Sequence, residues 1–204
     1  MKKEYLLGIL FFGSLWGASE ALLGGFLYNA NYPHASVSLT VIAFAIMTAA
    51  RIYLPKNGTS TLIASVAMLY KFLNTPFFAC HLLAIFLLGV SYDIVFGYFK
   101  IRSRAISGFI SAYLGYILFA LTITYVFRYH YWTQGGMPKI LRYVGTSGSM
   151  AAALNLFFVP FAFSAGKFLK KNTVDPFCFR SKLATGCVSL ITVAIWVFGA
   201  ARWF

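Results

Sequence analysis

Residues 61–97 read TLIASVAMLYKFLNTPFFACHLLAIFLLGVSYDIVFG. The stretch is nearly all apolar and is broken by Asn74-Thr-Pro76, a combination that stops a helix. It therefore predicts two membrane helices, a short one from Thr59 to about Leu73 and a longer one from Phe77 to Phe99. Within it stand Lys71, Asn74, Cys80, His81 and Asp93, polar or reactive groups that cost free energy in hydrocarbon unless something satisfies them. A site is to be sought here first.

Composition extends the reading to the whole chain. Of 204 residues, 60% are hydrophobic and 10% charged, and a water-soluble globule would have nowhere to put so much apolar surface. The prediction is an all-α polytopic membrane bundle, a single domain over residues 1–204. A spanning helix needs ~20 residues, so about seven fit and only short loops remain. No soluble catalytic or nucleotide-binding domain fits beside them. The net charge of +13 would suggest nucleic acid in a soluble protein, but here the basic residues lie between apolar runs. They serve as orientation signals beside anionic headgroups, so the expected partner is the bilayer and not nucleic acid. Cys80, Cys178 and Cys187 have no CxxC spacing and indicate neither disulfides nor zinc.

The other predicted spans are Tyr5–Tyr28, Ser36–Leu54, Ala105–Phe127, Gly148–Leu169 and Leu183–Ala201. Residues 128–143 form a polar connector dense in aromatics, either a short surface helix at headgroup level or a lid over a site. With the N-terminus inside, 12 Lys and Arg fall on the inner side and 4 on the outer, with Lys71 left within the membrane. That bias predicts a cytoplasmic N-terminus in the cell (inner) membrane, and an outer C-terminus.

This topology brings Glu20, Lys71, Asn74, Cys80, His81 and His34 to one depth, in the outer half. Asp93 falls near the inner face, where pairing with the basic loop after Phe99 is expected. Two readings stand for the outer group. Glu20 and Lys71 are either a buried structural pair or site residues that orient a ligand. His34 and His81 are either hydrogen-bonded histidines or ligand contacts. Trp16, four residues from Glu20, and the aromatics of 128–132 would supply stacking.

Absences narrow the function. There is no GxxxxGK[ST] loop, no HExxH and no DDxxD or DxD pair, and only four acidic residues in all. A non-enzymatic reading follows. A membrane enzyme with Cys80 as nucleophile is the lesser alternative, because adjacent helical residues point ~100° apart and His81 makes an awkward base.

The first helix, with Gly13-Ser-Leu-Trp16-Gly-Ala-Ser-Glu20-Ala, the short third helix broken at Asn74-Thr-Pro76 and the outward polar group together resemble the substrate-binding S components of energy-coupling factor vitamin transporters. The resemblance covers roughly residues 5 to 170. It implies six spans, with Leu183–Ala201 as an addition, and a vitamin or micronutrient as substrate. It also implies docking of Gly13, Gly17 and Ala21 onto a coupling protein driven by separate ATPases. A solitary branch similar to these proteins takes up cobalamin through a membrane cysteine that ligates cobalt, and Cys80 is the residue that would match it. The competing expectation is a structural or accessory subunit of a larger membrane complex, with the small-residue stripe as its interface.

Overall fold

The computed structural model of the chain describes residues 3–74, 79–99, 101–172 and 182–201. These form α1 (Lys3–Asn29), α2 (Ala35–Tyr53), α3 (Thr59–Asn74), α4 (Ala79–Asp93), α5 (Arg104–Leu121), α6 (His130–Thr133), α7 (Gly136–Tyr143), α8 (Ser149–Asn172) and α9 (Lys182–Ala201), with no strand among the described residues. Three wide π-type turns extend them. Ile94–Phe99 prolongs α4, Thr122–Val126 prolongs α5, and Val144–Gly148 joins α7 to α8.

Five of these helical runs are long and apolar enough to cross a membrane: Tyr5–Asn29, Ala35–Tyr53, Ala79–Phe99, Arg104–Val126 and Gly136–Lys171. The other two expected spans are apolar but shorter, at Thr59–Leu73 and Thr185–Ala201. The connector at 128–143 folds as the two short helices α6 and α7.

Neighbouring helices pack in the order α1, α3, α4, α5, α8, α2 and back to α1, a closed ring of six. Its centre is filled by Trp16, Phe44, Met47, Ile63 and Tyr92, all fully or almost fully buried. The Tyr92 hydroxyl meets Thr48 Oγ1 at 2.9 Å, so the phenol is satisfied inside the core. The α1–α3 seam is the tightest. A Cβ on Gly13 would lie 2.5 Å from Val66 Cβ, and one on Gly17 would lie 2.6 Å from Tyr70 Cβ. Only glycine allows that approach. Gly13 and Gly17, two of the residues expected to dock a coupling protein, pack against the chain's own α3.

One end of the ring is basic and tied by polar contacts. Arg51 Nη1 donates to Asp93 Oδ1 at 3.1 Å, and Thr61 donates to Asp93 Oδ2 from its backbone N at 2.7 Å and its hydroxyl at 2.8 Å. Asp93 thus closes the first turn of α3, where a carboxylate complements the helix dipole. Among the described residues its ion-pair partner is Arg51 of α2, where pairing with the loop after Phe99 was expected; Lys100 of that loop lies outside the described residues. Lys170 Nζ donates to Ile52 O at 2.9 Å, and the Tyr5 and Thr59 hydroxyls bond each other.

Helix α9 lies outside the ring against α1 and α3. Trp196 Nε1 donates to Ser14 Oγ at 2.8 Å, and the Tyr70 hydroxyl donates to Ile195 O at 3.0 Å. The Tyr70 and Trp196 rings meet edge to face, 5.0 Å apart.

Candidate functional site

The polar residues of α1, α3 and α4 converge at the end of the ring opposite the basic one. Glu20 sits one turn above Gly17, and the close α1–α3 approach at that glycine carries Lys71 to it. Lys71 Nζ donates to Glu20 Oε2 at 3.0 Å. Glu20 and Lys71 are 6% and 8% exposed, so the pair is removed from water and each charge depends on the other. Trp16, itself fully buried, donates from Nε1 to Glu20 Oε1 at 3.4 Å and so orients the carboxylate.

Beside this pair is a cavity of about 60 Å³. Its polar wall is Glu20, Lys71 and His81 on one side and Ser36, Thr40 and Tyr116 on the other, with Leu39, Ile85, Leu88 and Phe119 between them. Tyr28 stacks on the His81 ring at 5.1 Å between centroids, and its hydroxyl lies 3.1 Å from His81 Nε2. Across the cavity the Tyr116 hydroxyl lies 3.3 Å from Thr40 Oγ1 and donates to Ser36 Oγ at 3.4 Å. Ser36 and Thr40, one turn apart on α2, share a face, and Thr40 also donates back to Ser36 O at 2.8 Å.

Tyr143, the last residue of α7, lines the cavity and packs on Tyr116 with ring centroids 5.2 Å apart. Trp132 of α6 meets the Tyr143 ring edge-on at 5.1 Å. Of the α6–α7 connector, Tyr143 alone reaches the cavity wall. The aromatics of 128–132 do not line it, however. Trp132 packs behind Tyr143, in a separate cluster with Phe119 and Ile140.

Two other residues expected at the site do not line the cavity. Cys80 lies outside the cavity, packed with Phe119, Ala120 and Trp132, because its neighbour His81 takes the cavity-facing position and the two side chains diverge along the helix. His34 is also outside. It occupies a left-handed backbone position ahead of α2, and its Nδ1 lies 3.1 Å from Ser147 Oγ in the turn between α7 and α8. That contact ties the α1–α2 connector to the lid. Asn74 ends α3, and its side chain, like Thr75 and Pro76, lies outside the described residues.

Sequence reasoning missed Tyr28, Ser36, Thr40, Tyr116 and Tyr143. The available signal was the Ser36–Thr40 spacing in an apolar helix; the tyrosines carried none, since tyrosine also serves as a headgroup anchor. Among the described residues no three His, Cys, Asp or Glu side chains group to hold a metal ion. The arrangement can hydrogen-bond a small polar molecule at both ends and stack on it. No family model, curated protein or solved structure matches the chain.

Proposed function

We propose that the protein binds a small polar micronutrient in the outer half of the membrane and helps move it inward. One observation carries the reading: a buried ion pair from α1 and α3, an imidazole from α4 and three hydroxyls from α2 and α5 line a single cavity. A purely structural Glu20–Lys71 pair would need no cavity beside it. The positive-inside pattern supports a cytoplasmic N-terminus in the cell membrane, with the cavity toward the outside. The closed ring of six helices with α9 outside accords with an S-component-like core plus an added helix. Release inward then needs a partner or a tilt of the whole bundle, and a partner would meet a face other than the Gly13–Gly17 seam. A corrinoid is not the ligand we propose, since Cys80 does not reach the cavity.

The test is mass spectrometry of small molecules extracted from the detergent-purified protein, beside a Glu20→Gln/Lys71→Gln double variant. The expected result is a stoichiometric ligand in the wild type that the folded variant lacks. A stable wild type with no ligand, or with the same content as the variant, overturns the proposal.

A further inference from the structure

At the basic end of the ring, away from the cavity, we infer that the cleft between α2 and α8 binds the phosphate headgroup of an anionic glycerophospholipid. The cleft has a volume of about 450 Å³ and is lined by Arg51 and Ile52 of α2 and by Phe163, Lys167, Lys170 and Lys171 of α8. Positions 163, 167, 170 and 171 recur at helical spacing, so one face of α8 carries all four side chains. Four of the six lining residues are cations, and none of the six is an acid.

The walls are held in place by contacts that do not cancel this charge. Arg51 donates to Asp93 from Nη1 and to Asn57 Oδ1 from Nη2 at 3.2 Å, so its guanidinium is a fixed part of the wall. Lys170 Nζ, bonded to Ile52 O, also lies 5.2 Å from the centre of the Tyr53 ring. Lys167 Nζ and Arg104 Cζ lie over the Phe163 ring at 5.0 and 3.1 Å. Even with Asp93 and Asp175 both set against Arg51, Lys167, Lys170 and Lys171, two of the four positive charges remain, and Arg180 adds another. Glu4, at the start of α1, follows Lys2 and Lys3 and is outnumbered by them. Like charges three and four residues apart on a helix repel, and an anion from outside relieves that repulsion.

A lipid supplies that anion better than a free ion does. On the proposed topology this end lies at the headgroup level of the inner leaflet, where anionic lipids are concentrated and attract basic side chains. Phe161, Phe168 and Leu169, exposed on the same turns of α8, give acyl chains an apolar surface next to the cleft. Its volume is within the ~300–1,000 Å³ of ordinary ligand sites, enough for a phosphate with its glycerol. The lysine ammoniums then donate to separate phosphate oxygens while Arg51 anchors the wall.

The experiment is a native mass spectrometry titration of the full chain in detergent, at about 0.15 M ionic strength, where charges beyond ~8 Å are screened. The probes are dioleoyl-phosphatidylglycerol, dioleoyl-phosphatidylcholine and glycerol 3-phosphate. Two variants are compared: Lys167→Gln/Lys171→Gln in the cleft, and Lys56→Gln/Arg102→Gln, which removes as much charge from exposed residues of the same end that do not line it. Phosphatidylglycerol is expected to bind wild type at least about tenfold more tightly than either other probe, the cleft variant to lose about tenfold, and the control to stay within about twofold. Equal losses in the two variants overturn the inference in favour of a diffuse field. Equal binding of phosphatidylcholine overturns it too, and glycerol 3-phosphate binding as tightly makes the site one for a soluble phosphate. Should a double variant lose its fold, Lys167→Gln beside Arg102→Gln makes the same comparison. No cavity residue is altered, so failure here leaves the uptake reading to its own test.

Discussion

Glu20 and Lys71 each lose their counter-charge if the other is neutralised. Glu20→Gln or Lys71→Met alone should therefore destabilise the protein by about 3–5 kcal/mol, whereas the Glu20→Gln/Lys71→Gln double variant should recover most of that loss. Thermal unfolding in detergent of the three variants checks this, and additive losses would refute it. At the α1–α3 seam, Gly17→Leu meets Tyr70 Cβ and Ala67 O and should cost more than about 3 kcal/mol, while the same change at Gly25, where no atom lies within 4 Å, should be nearly neutral. Glu20, Lys71 and His81 were legible because an ionisable group in an apolar helix has few bland explanations. Cys80 and His34 misled for a local reason. Adjacency in the chain put Cys80 beside His81, yet helical geometry lets only one of the two face the cavity, and the nearness of His34 in depth did not specify its direction.

The α6–α7 lid is held by two kinds of contact: ring packing of Tyr143 on Tyr116 and Trp132, and the His34–Ser147 bond to the α1–α2 connector. Breaking the second without touching the cavity wall should loosen the lid. His34→Ala is expected to raise ligand association and dissociation rates together, several-fold, with little change in affinity; stopped-flow measurements on whichever ligand binds would show it, and unchanged rates would refute it. Most helix limits were legible to within a residue or two, from the polar breaks at Asn29–His34, Lys56–Gly58 and Arg102–Arg104, but α8 runs to Asn172, three residues past its expected end. The wide turns at Ile94–Phe99, Thr122–Val126 and Val144–Gly148 were not. No residue pattern common to IVFGYF, TITYV and VGTSG marks a wide turn in advance.

The order of helices around the ring is a property of the whole molecule, decided by which faces meet. Hydropathy reports that a helix is apolar but not which neighbour it prefers, so the pairing of α8 with both α2 and α5 could not be read ahead. The basic end depends on Asp93 joining α2, α3 and α4, and Asp93→Asn should lower stability by about 2–4 kcal/mol through the loss of the Arg51 counter-charge. Scanning calorimetry of that variant beside the wild type tests it. At the other margin, Trp196→Ala removes a bond and a ring contact that hold α9 to α1 and α3, and should lower the melting temperature by several degrees while ligand binding persists.

That last clasp also has a consequence for biogenesis. Ser14 and Trp196 are 182 residues apart, so the ribosome delivers the donor only after every other helix has left the exit tunnel. During synthesis the outer flank of α1 and α3 stays open, available to insertion factors, until α9 arrives to seal it. Chains truncated before α9, at Asn172, should therefore be degraded by membrane proteases faster than the 204-residue chain.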